Sequence, residues 1–178
     1  MQLNFSAQTS NKDHMGSHYK PTDQHVDQVW DTPTHSEIVD LTKMHVEAME
    51  VTDDDLVWVQ AGMHHVLLTT IGRKTGNEHK VALPTWKNTD GDRIVVASFA
   101  GASSNPSWFI NLKDKKANPR VKVQVQNGKF WSEPEILKGD ERSETWNQLC
   151  ADRAWYETYQ GKTERIIPLV KLPETEPI

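Results

Sequence analysis

The chain holds one cysteine, Cys150, so no internal disulfide can form, and its setting with Trp146 and Leu149 reads as the apolar side of a helix rather than a reactive site. A reducing compartment is expected. No apolar run approaches the roughly 18 residues needed to span a bilayer. The start, Met1-Gln2-Leu3-Asn4-Phe5-Ser6, lacks the charged-then-apolar order of a signal peptide, so a soluble, cytoplasmic chain is expected. No G-x-G-x-x-G follows a predicted strand, which excludes a Rossmann-type nucleotide fingerprint. The eight histidines, among them His14, His18, His25, His35 and the pair His64-His65, lack paired ligand spacing with Cys, Asp or Glu, so no metal is expected. Cations are outnumbered, 20 Lys and Arg against 25 Asp and Glu, and the net charge of -5 argues against general nucleic-acid binding. Cations matter here only where they converge on a pocket. No internal repeat is present, and 178 residues suit one domain with a real core.

What is there begins with polarity. The mean hydropathy of -0.69 is low for a globular chain, and residues 1–33 explain much of it. That segment is rich in Gln, Asn, Asp, Ser, Thr and His, and is expected to be a mobile tail or extended arm with Trp30 as its strong anchor. Residues 34–178 then form the folded domain. Thr34-His35-Ser36-Glu37 is a capping-box pattern followed by Ile38, Leu41, His45, Ala48 and Met49 at helical spacing, predicting a helix over about 35–50. Its apolar face is modest, which leaves room for peripheral membrane contact without supporting it. Leu56-Val57-Trp58-Val59 fits either a strand or a short helical turn.

Strands are expected at about 65–71, 79–87 and 93–99, the last two joined by a hairpin turn containing Asp90-Gly91. Asn105-Pro106 supplies an N-cap and a proline at the first helical position for a helix carrying Trp108, Phe109, Asn111 and Leu112. Val121 to Gln126 alternates, Asn127-Gly128 reads as a tight turn, and Lys129–Leu137 returns as a strand. Asp140 is expected to cap a helix through roughly Arg153, and Ile166-Ile167-Pro168-Leu169-Val170 to close the sheet as an edge or bulged strand. About six antiparallel strands with two helices favour a mainly β, α+β architecture: a small barrel with helices packed outside it.

The segment Gly72-Arg73-Lys74-Thr75-Gly76 follows the run Val66-Leu67-Leu68 and reads as an anion clamp in a hairpin turn. Glycines at both ends free the backbone, arginine offers a flat donor fork, and lysine a mobile point charge. An exposed polar turn with two cations would look the same locally. The set of segments decides more than any one. Leu67 to Gly76, Val95 to Ala102, Asn105 to Leu112, Ala117 to Val121, Tyr156 to Gln160 and Arg165 to Pro168 together closely resemble the deazaflavin-dependent nitroreductase family, over about residues 64–172.

That resemblance implies a split β-barrel of the flavin-reductase or FMN-binding type, coenzyme F-420 as cofactor, and hydride transfer to an organic acceptor such as a quinone, nitroaromatic or activated enone. The cofactor's phosphodiester and glutamate tail are anionic, so Arg73, Lys74 and Thr75 would grip phosphate. The strand His79, Lys80, Val81, Ala82 and Leu83 would line the ring and ribityl side. Val96, Ala97, Ser98 and Phe99 would run beside the cofactor, and Ser107, Trp108, Phe109, Ile110 and Asn111 would close the other wall. Ser98 and Tyr156 are the candidates to hold the acceptor oxygen, with Tyr156 or solvent donating the last proton, and Trp86, Tyr156 and Tyr159 would shape the substrate pocket.

Each residue also has a plainer use. Trp108 and Phe109 suit a helix packed on a barrel, Asn111 an exposed amide, Ser98 a backbone-satisfied strand serine, and Tyr156 with Tyr159 a partly buried aromatic pair. Two positions depart from the family: Arg153 stands where close nitro-reducing relatives carry tyrosine, and Phe99 where several carry lysine. The cluster Lys113, Lys115, Lys116, Arg120 and Lys122 reads as a solvated helix end that could also attract the glutamate tail. The alternatives are an FMN-binding split-barrel oxidoreductase and a non-catalytic deazaflavin carrier. A small-molecule acceptor is the expected partner, for a monomer or weak homodimer.

Overall fold

A computed structural model describes residues 24–178. The expected tail at 1–23 lies outside the described residues, whereas 24–33 run extended against the body of the molecule. Trp30 packs edge-on against Trp155 at 5.1 Å, and Gln24 is a second anchor, fully buried with its Nε2 donating to Lys87 O at 2.6 Å.

Helix α1 (His35–Met49) begins as its local chemistry requires: the Thr34 hydroxyl accepts from Glu37 N while Glu37 Oε2 accepts from Thr34 N at 2.8 Å. Both options for the next segment are realised in succession, α2 (Asp55–Trp58) and then β1 (Val59–Gln60). Strands β2 (Met63–Ile71) and β3 (Glu78–Pro84) form a long antiparallel hairpin in register from His65↔Pro84 to Ile71↔Glu78. The two faces of this hairpin are both covered. Leu67 and Ala82 pack with Met49 and Trp58, while Val66, Leu68 and Leu83 enter the main core with Val95, Phe109 and Val123. Burial on both faces explains why residues 66–68 read as a continuous apolar run rather than an alternation.

Two strands expected to be continuous instead change sheets. The segment predicted as 79–87 breaks at Thr85, whose N–H and hydroxyl both turn back to His64 O, and resumes as β4 (Trp86–Lys87). The segment predicted as 129–137 likewise splits into β7 (Gly128–Ser132) and β8 (Glu135–Ile136) around Pro134, which cannot donate to a ladder. One sheet has the order β1-β2-β6-β7-β10, with β3 also on β2, β6 being Val121–Val125 and β10 Glu176–Pro177. The other is β4-β5-β9-β8, with β5 Arg93–Val96 and β9 Leu169–Lys171. All pairs are antiparallel.

Other expectations shift. The tight turn sits one residue early, at Gln126-Asn127, since Gly128 already pairs with Val125. Strand β9 is interior to its sheet rather than an edge, because Pro168 lies just before it and is needed there only as an acceptor, from Ala97 N at 3.0 Å. Helix α3 (Ser107–Lys113) has Pro106 at its cap, not Asn105. Helix α4 (Gly139–Asp152) carries Asp140 inside its first turn rather than at the cap, and a further helix, α5 (Trp155–Gly161), follows it. The acidic Asp140 and Glu141 still favour that first turn through the helix dipole. Among the described residues no helix is long and apolar enough to cross a membrane.

Candidate functional site

A cavity of about 890 Å³ opens between the β2–β3 hairpin, the segment after β5, and helices α1, α3 and α5. At one end stands the turn after β2. Gly76 has a positive φ of 72°, as expected, but Gly72 does not: its reason is space, since a Cβ there would come within 2.6 Å of the His79 ring and 2.7 Å of the Thr75 hydroxyl. The turn spends several N–H groups on itself, Gly72 to Asn77 O and Gly76 to Gly72 O, both at 2.8 Å. The side chains of Arg73, Lys74, Thr75 and His79 are exposed around this turn and line the cavity.

The turn is held from beneath by two asparagines. Asn118 Oδ1 accepts from Ile71 N at 2.7 Å and its Nδ2 donates to Ile71 O and Asn111 O, both at 2.9 Å. Asn111, 5 % exposed, accepts from Arg73 Nη1 at 3.0 Å. Arg73 is thus aimed, not loose. On the hairpin, Lys80, Val81, Ala82 and Leu83 line the cavity wall, with the Lys80 ammonium paired to Glu50 at the C-terminal cap of α1.

The opposite wall comes from an unusual backbone. Strand β5 stops at Val96, short of the expected 99, and Phe99, Ala100 and Gly101 follow with φ of 45°, 50° and 80°. Two non-glycine residues in the left-handed region cost on the order of 1–2 kcal/mol each. Arg165 secures this turn: its Nη2 donates to Ser98 O at 2.7 Å, Nε to Ala102 O at 2.8 Å, and Nη1 to Ala97 O and Asn105 Oδ1 at 3.1 and 2.9 Å. That last bond also explains why Asn105 caps no helix. Ser98 and Phe99 line the cavity as a result, and the Ser98 hydroxyl caps nothing in its own turn.

Of the other sequence-selected residues, Val96, Ser107, Trp108, Tyr156 and Tyr159 reach the cavity. Ala97, Phe109, Ile110 and Trp86 do not form its wall. Ala97 and Phe109 point into the main core, which Trp108 also joins while lining the cavity, and the Trp86 ring is buried with its Nε1 donating to Asp152 Oδ2 at 2.7 Å. The Lys113–Lys122 cluster also stays outside. Lys115 donates to Pro134 O and Arg120 pairs with Glu176 over the Trp131 ring.

Burial pushes the Tyr156 phenol up, partly opposed by the Arg153 guanidinium beside it. Burial, helped by the neighbouring His45 ring at 4.7 Å, pulls His65 down to about 3. Its Nδ1–H donates to Met63 O at 2.9 Å, leaving Nε2 as an acceptor. A histidine whose folded value lies below its ordinary 6.5 takes up protons more readily when unfolded, so its contribution to stability is intact above pH 6.5 and lost as pH falls toward 3. Unfolding free energies from urea melts between pH 7 and 4.5 should therefore fall more steeply in the native protein than in His65→Gln, by up to about 1.4 kcal/mol per pH unit. Parallel slopes would show that His65 is not the group titrating.

With this geometry in place, the sequence matches the model of the F420H(2)-dependent quinone reductase family over residues 41–174, well over half the chain. The chain belongs to that family. It is 34% identical over 113 residues to an F420H(2)-dependent quinone reductase of Mycobacterium tuberculosis, a match covering 60% of this chain and 71% of that protein. A solved F420-H2 dependent reductase is 34% identical with a TM-score of 0.52, over 61% of this chain and 93% of its own. A second solved structure, described as a domain-swapped dimer, is 30% identical with a TM-score of 0.55, over 79% of this chain and all of its own.

In this quinone reductase family member the sequence hid several cavity residues. Trp30 and Pro33 from the arm and Ile38, Val39 and Thr42 from α1 wall the cavity, and Met63 and His65 close its far end. The capping box located α1 but carried no information about what it docks on. Arg165 and Asn118 were visible as residues of matching segments, yet their roles rest on bonds spanning 67 and 47 positions.

Proposed function

We propose that the chain is an F-420-dependent reductase that binds the reduced cofactor along this cavity and delivers a hydride to a quinone, with nitroaromatics and activated enones as further acceptors. One observation carries this: a single cavity joins a cationic turn to a wall of small and aromatic residues. His65 on β2 and Gly72 just past its end both line the cavity and are seven positions apart, so the cavity extends about 20 Å along the hairpin, enough for a long cofactor with an anionic end. The residues present fit the group, because Gly72 keeps the turn open and Asn111 aims Arg73.

Arg73, Lys74, Thr75 and His79 would hold phosphate, and the Val81–Leu83 strand with Ser98, Phe99 and Trp108 would bracket the ring. When bound, the reduced deazaflavin supplies the hydride. This chain's part is to orient the acceptor and meet charge as it develops. The Ser98 hydroxyl and the Tyr156 phenol would hold the acceptor oxygen, and Tyr156, protonated at neutral pH like any phenol and held so more firmly by burial, would donate the proton. Trp30 and Pro33 of the arm and Ile38, Val39 and Thr42 of α1 wall the cavity on one side, where they would limit the access of water to the reacting atoms.

We further infer that the two sheets close as a split β-barrel of the flavin-reductase kind in a single domain over 34–178, with the bends at Thr85 and Pro134 as its corners. The test is optical. Reduced F-420 mixed with the protein and menadione should be reoxidised faster than in protein-free controls. No acceleration across quinones, nitroaromatics and enones would overturn the assignment and favour a carrier.

A further inference from the structure

Arg153 is the most unusual charge in the described structure. It is 1 % exposed, at the turn between α4 and α5, and of its guanidinium nitrogens Nη2 donates to Thr85 O at 2.7 Å, while Nε and Nη1 are buried without an acceptor. No salt bridge reaches it among the described residues, and the adjacent Asp152 carboxylate accepts from Trp86 instead. A buried cation with unused donors is costly unless negative charge appears beside it. The group beside it that touches the cavity and can become negative is Tyr156, whose N–H donates to Arg153 O at 3.2 Å and whose phenol, disfavoured as an anion by burial, is eased toward ionisation by the neighbouring guanidinium.

We propose that Arg153 is the positioning residue for proton donation by Tyr156, its guanidinium steadying the negative charge left on the phenol oxygen when the proton passes to the acceptor. The proposal rests on the reductase function above. The acceptor gains a hydrogen and an electron pair from the reduced deazaflavin, which is oxidised. Its oxygen then takes the Tyr156 proton as the phenol O–H bond breaks, and the phenolate recovers a proton from solvent. The other titratable groups around the phenol do not substitute for Arg153. Tyr159 on α5 opposes the phenolate, and His64 and His65, from β2, feel Arg153 but are themselves disfavoured as cations by burial. Nor can Arg153 bind the acceptor directly, since it does not line the cavity.

The test is an alkaline titration of the tyrosinate absorbance of the protein without cofactor, with the Tyr156 step identified by its absence in Tyr156→Phe. Arg153→Gln, which keeps a donor for Thr85 O, should move that step up by about 1–3 units, the range for losing an adjacent opposite charge. Arg153→Lys should keep it near its native position, and the alkaline limb of kcat for quinone reduction should follow the same order. A step unmoved in Arg153→Gln, or moved equally in Arg153→Lys, would overturn the proposal. Because the titration needs no cofactor, a failure of the reductase function would show separately, as absent reoxidation of reduced F-420.

Discussion

Arg165→Met is expected to lose about 2–4 kcal/mol of stability and most of its reductase activity, although Arg165 forms no part of the cavity wall. Its guanidinium donates to three backbone carbonyls, Ala97, Ser98 and Ala102, and to the Asn105 amide oxygen. Hydrogen bonds from a charged donor contribute roughly 1.5–3 kcal/mol each, but Arg165 is half-buried, so water replaces part of what is lost. The remaining deficit falls on one segment. Phe99 and Ala100 hold left-handed conformations that an ordinary chain leaves when released, and the Arg165 fork is what over-determines them. Without it, Ser98 and Phe99 would leave the cavity wall. The check is paired: a urea melt for stability, and turnover with reduced F-420 and menadione at a concentration where the variant is folded. A variant that melts lower yet turns over normally would show that the turn keeps its shape without Arg165.

Gly101→Ala carries the second large effect, about 3 kcal/mol or more. Its φ of 80° already penalises any Cβ, and that Cβ would approach Tyr159 O to 2.5 Å and Lys162 Cβ to 2.9 Å. The first of these is backbone of α5, which cannot swing aside as a flexible side-chain end can. Relief requires α5 to shift away from the turn, and α5 carries both Tyr156 and Tyr159 into the cavity. The substitution should therefore lower the melting temperature and also weaken quinone turnover in whatever fraction stays folded. Gly72→Ala is a milder control, because the atoms its Cβ would meet, on His79 and Thr75, are side-chain ends. Equal losses in the two variants would contradict this distinction.

The parts of the fold legible in the sequence are those set by neighbours a few residues apart. Thr34 and Glu37 cap each other, so α1 could be placed to within a residue, and the alternation over 121–126 located β6. The sheet changes at Thr85 and Pro134 were not legible. Thr85 looks like any strand residue, and its corner exists because His64 O and Arg153 bind it from far along the chain. Asn105-Pro106 is a sound cap signal locally, but Arg165 claims the asparagine oxygen. Within the cavity, residues of the turn, the hairpin and α3 were visible through their ordered segments. The arm and α1 were not, since docking of a helix on a cavity depends on its partner surface rather than on its own period. Trp86 fell outside for a related reason: the break at Thr85 carries it into the second sheet, where Asp152 takes its N–H.

Cofactor binding in this cavity turns on Arg73 and Lys74 meeting the anionic part of F-420. The direct measurement is a binding titration of the native protein and of an Arg73→Ala, Lys74→Ala double variant, with oxidised F-420 and separately with FMN. Tight binding of F-420 over FMN is expected, with the double variant weaker by about 2–5 kcal/mol if each cation contributes a charge-assisted bond. Unchanged F-420 affinity in the double variant, or a native protein that binds FMN and not F-420, would contradict it.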